Sequence, residues 1–252
     1  MIAVEVSDTL QSVGLDLYAG PVSRYVAGDW KTIIQQAGEA SGNRVVIVRR
    51  DPAERPVTAA DVATWRAGLI ASMGLAEEWQ ENPGDDYYTD KPDWYGYGAV
   101  ILLAAYDEQP QLAAGAEIRR FLSRSTVAAV EPARFHEAPA FKAAIQSPAR
   151  FPTLLLGAQW CLPLAGGPAV FTAPTPSGTQ LVMGRVAGLV EELHTLNQRT
   201  LRLSSEQLRA AAHAGPPGVD APVEAMAPFG LAVLTATAEF AANHDAAWIM
   251  DY

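Results

Sequence analysis

The 252 residues carry a net charge of −10, are 49% hydrophobic and only 18% charged, and include a single cysteine. That composition supports a sizeable core and excludes wholesale disorder. The acidity excludes nucleic-acid binding, which needs the opposite sign, and one cysteine excludes an internal disulfide.

The N-terminus has no basic cluster or apolar run of signal length and carries Glu5 and Asp8, so no secretory signal is expected. Val13–Ala19 reads as a strand and Asp29–Ala40 as a helix ending near Gly42. The β-branched run within Arg44–Arg50 predicts a second, buried strand. Thr58 and Asp61 form a capping-box pattern ahead of Val62, Trp65, Leu69 and Met73, which predicts an amphipathic helix over 59–73, stopped by Gly74. Glu77–Gly98 is expected to be irregular, Ala99–Glu108 helical, and Leu112–Arg124 helical. Ala99–Tyr106, the longest apolar stretch, is far short of the roughly 20 residues that span a bilayer, so no membrane is implied.

Three prolines between Pro132 and Pro148 suggest a linker or a short helix in loops, with a weak seam near 132–150 in what is otherwise one domain over 1–252. Phe151–Leu156 and Ala169–Thr172 read as strands, and Thr179–Met183 as the partner of the latter across the turn at Pro174–Gly178. Helices follow at 185–197, 204–213 and 223–243. The expected fold is α+β, a helix-rich single domain with a small, largely antiparallel sheet and a C-terminal helical portion. Cys161, between Trp160 and Leu162, reads as a buried, inert thiol in a reducing compartment, and the cytoplasm is the expected location.

Charge is unevenly placed. Residues 1–109 hold 17 acids and 8 bases, whereas 110–252 hold 11 and 10. Glu77–Asp93 alone holds seven acids and one base, Lys91, and 77–98 adds six aromatics. Aromatics give contact area at low entropic cost and carboxylates accept from Arg or Lys, so the loop has the composition of a protein interface for a basic partner. A loop whose rings pack inward while its acids stay solvated accounts for the same composition. A second stretch dense in polar and aromatic residues occurs at Gly14–Trp30, where Asp16 alternates with Leu15 and Leu17 and is placed to pair with Arg24 or to sit in a cleft.

The candidate binding residues are therefore Asp16, Tyr18, Arg24 and Tyr25 in the first cluster, and Asp85, Asp86, Tyr87, Tyr88, Asp90, Asp93, Trp94 and Tyr95 in the second. The alternative is an enzyme or small-ligand protein using carboxylates of the 14–30 and 85–97 clusters, with Asp16, Arg24, Asp90 and Asp93 in one cleft. No catalytic residue, metal or cofactor is assigned. Asp85, Asp86, Asp90 and Asp93 lack the alternate-residue spacing of a calcium loop, and Glu191 with His194 has no second pair with which to build a di-iron site. His244, near Asp245 and Asp251, reads as a capping or packing residue, and no phosphate loop, dinucleotide motif or serine elbow occurs.

The blocks Gly14-Leu15-Asp16-Leu17-Tyr18 with Ser23-Arg24-Tyr25 and Gly28-Asp29-Trp30, and Thr89-Asp90-Lys91-Pro92-Asp93-Trp94-Tyr95-Gly96-Tyr97-Gly98-Ala99, together with the closing Asp251-Tyr252, resemble an uncharacterised family of bacterial cytoplasmic proteins. That resemblance implies no activity. In style, an acidic, aromatic-rich chain of this size is also similar to immunity proteins of toxin systems. The expected function is a protein-binding, immunity-like inhibitor that meets a basic partner, with a homo-oligomer compatible with this reading.

Overall fold

The computed structural model describes residues 14–42, 57–76, 79–112, 132–218, 221 and 223–252. The strand expected at 44–50, nearly all of the helix expected at 112–124, and Glu77 and Glu78 lie outside the described residues.

In chain order the elements are β1 (Asp16–Gly20), α1 (Val22–Ala27), α2 (Ile33–Ala40), α3 (Ala59–Met73), β2 (Tyr88–Asp90) and α4 (Asp93–Glu108). After a 3-10 turn at Pro132–Glu137 come α5 (Pro139–Ala144), α6 (Pro152–Leu155), β3 (Trp160–Leu162), β4 (Val170–Pro174) and β5 (Gln180–Arg185). The chain continues through α7 (Val186–Arg199), α8 (Ser205–Ala214), α9 (Val223–Asn243) and β6 (Ala247–Asp251). The fold is α+β.

The strands form one sheet of order β2-β1-β6-β3-β5-β4, in which β3 and β5 run parallel. This corrects the small, largely antiparallel sheet expected from the sequence: it is a six-stranded mixed sheet. The reason is that β3 and β6 are three and five residues long and almost wholly buried, so no alternation betrays them, while β2, at three residues, is too short to show a pattern. Leu15, Leu17, Ala19, Cys161, Trp248 and Met250 face one way, into a core shared with α4, α7 and α9. Tyr18, Trp160, Leu162, Met183, Ala247 and Ile249 face the other way, under Trp30, Trp79 and α3. Both faces of the sheet are therefore covered.

Thr58 caps α3 through the Asp61 amide, the Asp61 carboxylate accepts from the Thr58 amide, and Gly74 closes the helix at φ 65°. α2 begins at Ile33, four residues later than expected, because Thr32 and Gln35 form a second capping box there. Two further expectations are corrected. Residues 151–156 form the short helix α6 rather than a strand, since Pro152 suits the first helical turn and the carboxylate of Glu192 takes up its amides. The segment 77–98 is not irregular throughout, because it contains β2 and the start of α4. Asp93 starts that helix at φ 48°, its Oδ1 accepting from the Gly96 amide at 2.7 Å, which is the work of an N-cap.

Two glycines let the main helices of the core cross closely. A Cβ on Gly230 would stand 2.1 Å from the Gly96 carbonyl oxygen, so α9 and α4 meet backbone to backbone. One stretch of α9, Ala225–Asn243, is long and apolar enough by composition to cross a membrane, and 67% of it is buried inside the fold.

Candidate functional site

Tyr18 lies at the centre of the first cluster. Its strand position aims it away from the helical core, and its ring is surrounded by Trp30 at 5.0 Å, Tyr25 at 5.4 Å and Tyr87 at 5.8 Å between centroids, the last stacked. The rings continue through Trp160, edge-on to Tyr25, and on to Trp65 and Trp79. The Tyr18 hydroxyl donates to the Pro21 carbonyl at 2.9 Å, and burial pushes its ionisation well above the usual phenol range.

Arg24 pins the acidic loop onto this cluster. Its guanidinium lies 4.4 Å from the centroid of Tyr87, donates to the Asp85 carbonyl at 2.9 Å, and donates to the Asp29 carbonyl at 2.7 Å. Glu81 is a second pin: it accepts from the Ser23 amide and stands 3.6 Å from Arg66, with both side chains largely buried. Sequence reasoning did not single out Glu81, Arg66 or Trp79. The first and last lie inside the segment it noted, but only their burial distinguishes them from their neighbours.

Asp16 does not pair with Arg24. Its carboxylate stands 3.9 Å from the Lys91 ammonium, and across the sheet it faces Asp251, whose carboxylate accepts from the Tyr25 hydroxyl at 2.8 Å.

The twelve candidate residues divide between the two faces of the sheet. In the β1–β2 register Tyr18 opposes Thr89, while Leu17 opposes Asp90 and Ala19 opposes Tyr88. Directly opposed residues share a face. Asp16, Tyr18, Arg24, Tyr25, Asp85, Asp86 and Tyr87 therefore belong to the aromatic side. Tyr88, Asp90, Trp94 and Tyr95, with Asp93 at the head of α4, belong to the helical side, where Tyr88, Trp94 and Tyr95 pack on the core. Tyr88 donates to Asp90 at 2.9 Å, and burial, then the Asp90 charge, pushes its hydroxyl up to about 12. Burial also raises Asp93, against the opposing pull of the Gly96 and Tyr95 amides. The carboxylates Asp16 and Asp90 thus stand on opposite faces of the sheet.

What remains outward is acidic. Asp85 and Asp86 are exposed at the tip of the loop. They line a shallow depression together with Pro21, Trp79, Glu81 and Asp245. Its volume of about 20 Å³ has room for a water molecule or one ammonium-sized group, far less than a small-molecule pocket. Asp245, at φ 48°, is delivered there by the turn between α9 and β6, beside His244, whose ring stacks on Phe240 at 4.0 Å. Among the described residues no group of three or more potential metal ligands converges. His194 pairs with Glu239 at 2.8 Å across two helices.

No family model, curated protein or solved structure matches this chain.

Proposed function

We propose that this chain is a protein-binding protein of the immunity-like kind, acting in the cytoplasm, which meets a basic partner through the rim formed by Asp85, Asp86 and Asp245. The observation that carries the reading is the orientation of the acidic loop. Its rings, Trp79 and Tyr87, are turned into the fold and locked by Arg24 and Glu81, so the surface left outward is carboxylate. A pre-set loop loses little conformational entropy when it docks. Exposed charges of one sign act chiefly on the rate of encounter and on its salt dependence.

The test is the combined Asp85→Asn, Asp86→Asn and Asp245→Asn variant against a purified basic partner, with association rates followed over a range of ionic strength. The expected result is a slower association and a shallower salt dependence, with a smaller change in dissociation. Unchanged association at low salt would overturn the proposal. Asp90 and Asp93 are left intact because both are engaged within the fold.

A further inference from the structure

Pro152 has no amide hydrogen, and each of the five amides that residues 149–154 do possess is held by a carboxylate. Glu108, at the end of α4, accepts from Ala149 at 3.0 Å, from Arg150, and from Phe151 at 3.1 Å. Glu192, on α7, accepts from Thr153 at 2.8 Å and from Leu154 at 3.0 Å. The turn so fastened inserts Phe151, Leu154 and Leu155 into the core. The two clasps differ in one respect. Glu108 has the Arg150 guanidinium 3.7 Å away, whereas among the described residues no cation stands within ion-pair range of Glu192, which is 6% exposed. The chargeable groups on the elements around it include Cys161 on β3, Arg185 at the end of β5, Asp107 and Glu108 on α4, and Glu239 on α9, and its own helix carries Glu191, His194, which holds Glu239, and Arg199, which holds Asp107.

We propose that the Ala149–Leu155 turn is a pH-sensitive clasp, fastened by two buried carboxylates and loosened when Glu192 ionises without a cation to compensate it. A buried carboxylate with no counter-charge favours its protonated form. Burial raises Glu192 to about 7, against the opposing pull of the Thr153 hydroxyl and of the Leu154 and Thr153 amides, and the charge of Glu108 adds a smaller push upward. When the turn opens, Glu192 regains water and an ordinary carboxylate pKa, so the open state binds fewer protons between these limits. Opening is therefore suppressed at low pH and rises with pH until Glu192 is ionised in the closed state as well. Above neutrality the effect levels off.

The assay is native-state amide exchange of Thr153 and Leu154 from about pH 5 to 8, with the intrinsic pH dependence of exchange divided out. In the wild-type chain the protection should fall on the order of 10²-fold across that range, the equivalent of a shift of about two pKa units. In Glu192→Gln, which keeps the shape but cannot ionise, protection should be flat with pH. Protection in the wild type that is flat, or a variant that follows the same curve, overturns the proposal. Should the variant not fold, the carboxyl carbon of Glu192 is titrated by NMR in the wild-type chain. A midpoint near neutrality upholds the clasp, and one in the ordinary carboxylate range overturns it.

Discussion

Replacing Gly230 by alanine tests the backbone contact between α9 and α4. The added Cβ would stand 2.1 Å from the oxygen, 2.4 Å from the carbon and 2.9 Å from the Cα of Gly96, where ordinary contacts begin near 3.4 Å. The obstacles are all backbone, so no side-chain rotation relieves them and the helices must part by roughly 1 Å. Overpacking of a core costs about 1–3 kcal/mol even where side chains can adjust, so this site should lie at or above the upper end. Alanine is worth about 1 kcal/mol more than glycine inside a helix, which leaves a net loss of about 2 kcal/mol or more. That is a large fraction of the 5–15 kcal/mol typical of a domain. Urea unfolding followed by circular dichroism reads it directly. Gly68→Ala is the control, because its Cβ on the exposed face of α3 meets nothing within 4 Å, and the same substitution should there stabilise by about 0.5–1 kcal/mol. If Gly230→Ala came within about 0.5 kcal/mol of the wild type, the close crossing of the two helices would be wrong.

The capping box of α3 and the buried thiol can be checked in the same preparation. Thr58→Ala removes the acceptor for the Asp61 amide and should cost about 1 kcal/mol, seen as a lower urea midpoint with no change in slope. Cys161 is fully buried and burial pushes its thiol well up, so it should resist a disulfide reagent in the native protein and react at once in denaturant. Rapid labelling of the native chain would contradict its placement.

Elements whose cause is local were legible in the sequence, and those whose cause is distant were not. The bounds of α3 follow from Thr58, Asp61 and Gly74, all within the segment itself. Residues 223–243 likewise declare a helix through their alanines and leucines. By contrast, α6 owes its shape to Glu192, some forty residues further on, and the apolar run 151–156 read as a strand without it. Gly96 and Gly98 suggested a broken loop, yet they lie inside α4, where they admit the backbones of Gly230 and Pro132. At the candidate site, composition pointed to the 77–98 loop. It could not say that Tyr18, Tyr87 and Trp79 turn inward while Asp85 and Asp86 turn out, nor that the strand pairing sends Asp16 and Asp90 to opposite faces. That division depends on the register of β1 against β2, which a slip of one residue would reverse.

The position of β6 has a consequence for how the chain reaches this state. β6 joins the β2–β1 pair on one side to the β3–β5–β4 group on the other, and it is the last described element to be synthesised. Until residues 247–251 emerge, the two halves of the sheet have no strand in common, and Trp160, Cys161 and Tyr18 lack their partners on β6. A growing chain can form its helices early but cannot close the sheet until β6 has joined its two parts. Pairings this far apart in sequence are slow to find, and the interval is when the chain is most open to aggregation or to a chaperone.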